Sequence, residues 1–126
     1  MFYDSGRLWA ELNCNDNRLE GVSKTYYESG RLQMKMSFKE SKLEGISNEF
    51  YESGAIKTTW SYKDGKREGI TRAYYENGVL EWEANFKNGK LDGVAKKYFD
   101  TGKIRYVDNY QNGILINRKQ YDKKGS

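Results

Sequence analysis

The chain has no proline, no histidine and a single cysteine, Cys14. One thiol cannot close an internal disulfide, and no Cys/His cluster exists to hold zinc. Histidine is the usual general base near neutral pH, so its absence argues against an enzyme. No window approaches the roughly 18–20 apolar residues of a membrane-spanning helix. A basic start followed by an apolar run, the mark of a signal peptide, is also missing. These absences favour the cytoplasm. However, Met1 leads at once into Phe2-Tyr3-Asp4-Ser5-Gly6, which is already repeat sequence, so the chain reads equally as a piece of a longer protein. The compartment therefore stays open.

What is present is the material of one folded domain. The 126 residues are 32% charged, but 15% are aromatic. Disordered chains are charged and poor in aromatics, so a mean hydropathy of −1.00 does not exclude a fold. The net charge of +4 is spread among interleaved acids with no lysine or arginine block. That balance reads as a solvated surface and argues against nucleic acid.

Periodicity decides the architecture. Gly6, Gly30, Gly54, Gly78 and Gly102 fall 24 residues apart, as do Tyr3, Tyr27, Tyr51, Tyr75 and Phe99. A second glycine series runs through Gly21, Gly45, Gly69 and Gly93. Within each unit apolar residues alternate with polar ones, which is strand spacing. Leu32, Met34, Met36 and Phe38 follow it, and so do Leu80, Trp82, Ala84 and Phe86. Asp64-Gly65, Asn88-Gly89 and Asn112-Gly113 are two-residue hairpin turns of the kind that needs positive φ at both positions. Glu40-Ser41 and Asp16-Asn17 are weaker versions. The Glu-Ser-Gly turns suit three-residue loops with the glycine in the left-handed region.

The expected fold is all-β: an elongated, twisted, single antiparallel meander of about five tandem 24-residue hairpin repeats with no helices. Units of about 3–26, 27–50, 51–74, 75–98 and 99–121 make one array over 1–126, the last acting as a C-terminal cap. At the usual strand spacing about ten strands span roughly 45–50 Å. Gly21, Gly30, Gly45, Gly54, Gly69, Gly78, Gly93 and Gly102 are assigned structural roles. Leu43 and Phe50 lie an odd number of residues apart, so a bulge at Gly45 is expected to return them to one face. In the last unit Asn117 replaces that glycine and one residue is lost.

Tyr-Glu-Ser-Gly at 27–30, Tyr-Glu-Asn-Gly at 75–78 and Phe-Asp-Thr-Gly at 99–102 alternate with Lys-Leu-Glu-Gly at 42–45 and Lys-Leu-Asp-Gly at 90–93. This pattern resembles the MORN-repeat family, in particular its bacterial variant, over essentially the whole chain. The resemblance implies an elongated β-sheet scaffold used for interactions, and some bacterial relatives are antitoxin- or immunity-type proteins. Eukaryotic members, some proposed to bind phospholipid, differ in having denser glycines and one Tyr-x-Gly per shorter unit.

The binding candidates are an aromatic ladder with interleaved cations, expected to share one face: Phe38, Phe50, Trp60, Tyr62, Arg72, Tyr74, Trp82, Phe86, Lys96, Tyr98, Tyr106 and Tyr110. Such a face can stack on itself, or it can hold a partner through rings and cations. A single sheet leaves it uncovered unless the sheet curls, a second copy docks or another protein binds. Cys14 occupies the slot of Phe38, Tyr62, Phe86 and Tyr110 and reads as a small core residue. Glu28, Glu52, Glu76 and Asp100 read as turn-capping acids. No catalytic residue, metal or small-molecule cofactor is assigned. The partner is another protein or a second copy. The alternatives are a structural piece of a longer array, or a module touching membrane phospholipid or another polyanion.

Overall fold

The computed structural model describes residues 2, 4 and 6–122; Tyr3 and Ser5, which open the first expected unit, lie outside the described residues. The strands are β1 (Ala10–Glu11), β2 (Cys14–Asn15), β3 (Arg18–Leu19), β4 (Gly21–Tyr26), β5 (Leu32–Lys39), β6 (Lys42–Leu43) and β7 (Gly45–Phe50). They continue as β8 (Ile56–Lys63), β9 (Lys66–Arg67), β10 (Gly69–Tyr74), β11 (Leu80–Lys87), β12 (Lys90–Tyr98), β13 (Ile104–Gln111) and β14 (Ile114–Gln120). Twelve of them form one sheet in the order β1-β4-β5-β7-β8-β10-β11-β12-β13-β14, with β6 beside β5 and β9 beside β8. Every pairing is antiparallel, and no helix occurs among the described residues. The molecule is an all-β hairpin meander.

Turn chemistry sets the hairpins. Asp64 and Gly65 have φ of 51° and 80°, and the Asn88, Asn112, Glu40 and Asp16 turns repeat the pattern. Both central residues are left-handed, so each turn's twist matches that of its strands. In the other turns Gly30 N–H donates to the Tyr27 carbonyl and Tyr27 N–H to the Arg31 carbonyl, each at 2.8 Å. The three-residue loop is therefore present. All eight structural glycines have φ between 77° and 95°.

The bulges differ from expectation in a way that matters for function. Around Gly45 the register passes from Phe38↔Leu43 to Lys35↔Asn48, which inserts two residues into the return arm. Two extra residues preserve alternation, so Gly45 does not change the facing. The single-residue shift that does change it lies beside the Glu-Ser-Gly turn, where Glu49↔Thr58 gives way to Phe50↔Ile56. The same shift recurs at Thr25/Tyr26, Ala73/Tyr74 and Lys97/Tyr98. In the last unit the Gly45-type insertion shrinks to one residue between Tyr110↔Leu115 and Asn109↔Asn117, matching the lost residue there.

Successive hairpins are tied through main-chain groups. Tyr27, Tyr51 and Tyr75 hydroxyls donate to the carbonyls of Phe50, Tyr74 and Tyr98 in the next hairpin. Phe99 occupies the next rung without a hydroxyl, so this ladder stops there. On the opposite edge the Glu44 and Glu68 carboxylates accept from the turn N–H groups of Asp64 and Asn88 at 2.6 and 2.7 Å. Glu20 and Asp92 do the same for Glu40 and Asn112. These acids explain the recurrent Lys-Leu-acid-Gly signature, because the first N–H of a two-residue turn has no partner within its own hairpin.

Candidate interaction surface

Directly paired residues of antiparallel strands share a face, so the register sorts every candidate. One face, here the packed face, carries Phe38, Trp60, Tyr62, Trp82, Phe86, Tyr106 and Tyr110. The other, the open face, carries Phe50, Arg72, Tyr74, Lys96 and Tyr98. The expectation of one aromatic-basic face is therefore corrected. The single-residue shift beside each Glu-Ser-Gly turn moves Phe50, Tyr74 and Tyr98 across the sheet, together with Arg72 and Lys96 on their strands.

The packed face covers itself. Its middle row holds small residues: Ser23 opposite Met36, Ser47 opposite Trp60, and Thr71, Ala84 and Ala95 in line. Ser23, Ser47, Thr71, Ala84 and Ala95 are buried although the sheet is a single layer. Larger side chains in the flanking positions close over them, and Trp82, Leu91 and Tyr110 pack against Ala84, Phe86 and Ala95. Trp82 meets Phe86 edge-on at 6.4 Å, and the Arg67 guanidinium lies 5.1 Å from the Phe86 ring. No ring of this face is among the exposed large apolar residues.

Charge on the packed face is also internally matched. Lys57 pairs with Glu49 at 3.9 Å and Lys97 with Glu81 at 2.6 Å. Asp108, 2% exposed, takes both nitrogens of a fork from Arg118 at 2.7 and 2.8 Å. The Arg118 guanidinium also stacks 4.1 Å from the Tyr106 ring. That carboxylate holds the guanidinium pKa above its already high ordinary value. Burial raises the Tyr51 and Tyr110 phenols above the usual tyrosine range, with nearby carboxylates adding to the effect.

The open face differs on both counts. Ile46, Ile70 and Val94 occupy one repeat position on β7, β10 and β12 and remain 57%, 49% and 46% exposed. Next to that row runs a polar one, in which Lys24 pairs with Lys35, and Arg72 with Glu83, which in turn faces Lys96. Glu83 binds Arg72 Nε at 3.2 Å and accepts from the Tyr98 hydroxyl at 3.5 Å. Burial first, then Glu83, raises the Tyr98 pKa. Among the described residues no carboxylate lies within ion-pair reach of Lys24, Lys35 or Lys96. Ile70, Val94 and Asn85 wall a shallow groove of about 470 Å³, rimmed by Arg72, Glu83 and Lys96.

Two smaller expectations are revised. Cys14 is exposed rather than a core residue. Its strand is broken, β1 ending at Glu11 and β2 starting at Cys14, so the slot is not packed as in later hairpins. In the three-residue turns the bond is accepted by the residue after the acid: Ser29 Oγ from Arg31, Ser53 Oγ from Ala55, and Asn77 Oδ1 from Val79. The coupling acids Glu20, Glu44, Glu68 and Asp92 were missed, although their 24-residue recurrence was a readable signal. No helix among the described residues is long and apolar enough to cross a membrane.

A sheet of in-phase hairpins with this turn signature defines a repeat scaffold. The family model for the MORN repeat variant matches residues 19–40, 43–64, 67–88 and 91–112, and the chain belongs to that family. No curated protein matches it in sequence. Among solved structures it is similar to a TarM mutant of S. aureus in complex with fondaparinux, alpha-GlcNAc-glycerol and UDP. The TM-score is 0.50 at 9% identity, covering 84% of this chain and 20% of that one. A second TarM crystal structure gives 0.49 at 9% identity, covering 85% of this chain and 20% of TarM. A GtfA/B complex bound to UDP and GlcNAc gives 0.37 at 12% identity over 86% and 22%. The chain thus spans about a fifth of the length of these structures, and the TarM likeness concerns the fold alone.

Proposed function

We propose that the protein is a non-enzymatic repeat scaffold that docks another protein on its open face. The observation that carries this reading is the contrast in side-chain commitments. The packed face spends its rings and charges on itself, whereas Ile46, Ile70 and Val94 stand exposed beside a row in which Arg72 pairs with Glu83 but Lys24, Lys35 and Lys96 have no ion-pair partner among the described residues. The three aliphatic side chains recur on every second strand with Ser61 and Asn85 on the strands between, and an exposed apolar row rimmed by polar groups is a common signature of an interaction surface. Within this reading, an antitoxin- or immunity-type role is the most concrete version the family resemblance supports. The last unit acts as a cap. Ile116 stands where Glu44, Glu68 and Asp92 reach the next turn, and the Asp108–Arg118 pair fills the end of the row of small residues.

A second reading, a structural module inside a longer chain, draws support from the occurrence of a similar fold as a fifth of TarM. Contact with phospholipid or another polyanion is the third, resting on the same free cations. To separate them, a photo-crosslinking amino acid is placed at Ile70 or, as control, at Trp60, in cells that make the protein. A discrete protein adduct from position 70 and none from position 60 is expected. Adducts from position 60 alone would assign docking to the packed face instead, and salt-sensitive co-sedimentation with anionic vesicles without any protein adduct would favour the polyanion reading.

A further inference from the structure

The open face has a built-in ruler. Ile46, Ile70 and Val94 lie on β7, β10 and β12, and one strand intervenes between each pair. At about 4.7–4.9 Å per strand, neighbouring aliphatic side chains stand roughly 9.4–9.8 Å apart along the array. A segment lying along this row must place its own aliphatic groups at that interval. A β-strand presents one face every second residue, about 6.6–6.8 Å, and falls out of step at once. An α-helix returns to one face after seven residues at about 10.5 Å and drifts by nearly 2 Å over two intervals. Polyproline II rises about 3.1 Å per residue with three residues per turn, so every third side chain recurs at about 9.3 Å.

Charge narrows the choice further. The row beside the aliphatic one carries Lys24, Lys35, Arg72 and Lys96 against Glu11 and Glu83. Glu11 is engaged by the Tyr26 hydroxyl and Glu83 by Arg72 and Tyr98. With Arg72 and Glu83 paired, Lys96 leaves one net positive charge on the rim of the groove between Ile70 and Val94.

We infer that the Ile46–Ile70–Val94 row binds an acidic segment of a partner protein in polyproline II conformation, with an aliphatic side chain at every third residue. The inference rests on the docking reading above and specifies the occupant of that surface. Its aliphatic groups seat against Ile46, Ile70 and Val94, and its carboxylates lie toward Arg72 and Lys96. Such a segment is largely pre-organised before binding, so little conformational freedom is lost on docking.

The test uses fluorescein-labelled synthetic peptides and fluorescence anisotropy with the full chain. One peptide repeats Glu-Pro-Leu, a second repeats Lys-Pro-Leu, and a third alternates Glu and Leu to place its aliphatic groups at strand spacing. Saturable binding of the first alone is expected, weakened about tenfold or more by Ile70→Thr or Val94→Thr and weakened by Lys96→Glu. Threonine keeps the β-branched shape, and a thermal melt confirms that each variant folds. No saturable binding of the Glu-Pro-Leu peptide, equal binding of the other two, or insensitivity to both threonine variants would overturn the inference. The docking reading is judged separately by the crosslink from position 70. An adduct there alongside equal peptide binding sinks the spacing argument only, whereas absence of both sinks the two together.

Discussion

The two faces of this sheet are built from the same 24-residue unit, yet they are used in opposite ways. On the packed face, small residues such as Ser47 and Thr71 lie beneath larger neighbours, and the acids Glu49, Glu81 and Asp108 each have a cation. On the open face the equivalent rows hold half-exposed aliphatics and lysines with no acid in reach. A single-layer sheet has no second layer to bury a core. It makes one by letting large side chains close over small ones on one side, while on the other side Phe50, Tyr74 and Tyr98 are half-buried and the row of Ile46, Ile70 and Val94 stays exposed. That exposed row is the part of the open face the proposed docking uses.

The largest effect that would break this contrast is expected at the Asp108–Arg118 ion pair, whose carboxylate is buried and whose guanidinium is partly exposed. Arg118→Leu leaves the Asp108 carboxylate buried without its cation, and the loss of thermal stability should exceed that of any open-face change. Replacing both residues by leucine should recover much of the loss, since two apolar groups need no pairing. A double variant as unstable as the single one would mean that the pair is not what closes the end of the packed face.

Backbone strain comes next. Gly69 has φ of 90°, with open space where a Cβ would stand apart from Ser61. Gly69→Val should therefore cost about 1–3 kcal/mol through conformation and not through clash. Gly65→Asn should stay within about 0.5 kcal/mol, because asparagine tolerates the left-handed region. Asn17 already occupies the equivalent turn position at φ 63°. Equal shifts in paired urea titrations would contradict the assignment of Gly69 to a bulge and Gly65 to a two-residue turn.

A smaller effect should appear in alkali. Tyr51, Tyr98 and Tyr110 have pKa values raised above 10.0 in the folded chain. The unfolded chain then loses its phenolic protons first, so stability is complete below about pH 10 and declines as pH rises through the folded values. Melts from pH 8 upward should show a flat region followed by a fall. A melting temperature that rises in this window would contradict the sign.

Much of this was legible in the residues. The 24-residue interval, the Asn-Gly turns and the left-handed glycines are local features with strong conformational preferences, and each appears where the spacing places it. Facing was not legible. It depends on whether a bulge inserts one residue or two, and only the two-residue insertion carries a glycine signal. The one-residue shift falls near Gln33, Lys57, Glu81 and Arg105, side chains with nothing in common that announces a bulge. Missing that single step assigns Phe50, Arg72, Tyr74, Lys96 and Tyr98 to the wrong side of the sheet. The exposure of Cys14 was not legible for a similar reason, since periodicity cannot tell that the first long strand is interrupted.

The central claim is that one face holds the fold and the other is free to bind. The most direct measurement compares thermal unfolding of the triple variant Ile46→Thr, Ile70→Thr, Val94→Thr with that of Trp82→Ala. Trp82 packs on the buried Ala84–Phe86–Ala95 cluster, so its truncation should cost about 2 kcal/mol or more. The triple variant keeps β-branching at exposed positions and should melt close to the parent protein. A triple variant that unfolds earlier than Trp82→Ala would show that the open face carries the fold, and the division of labour between the two faces would be wrong.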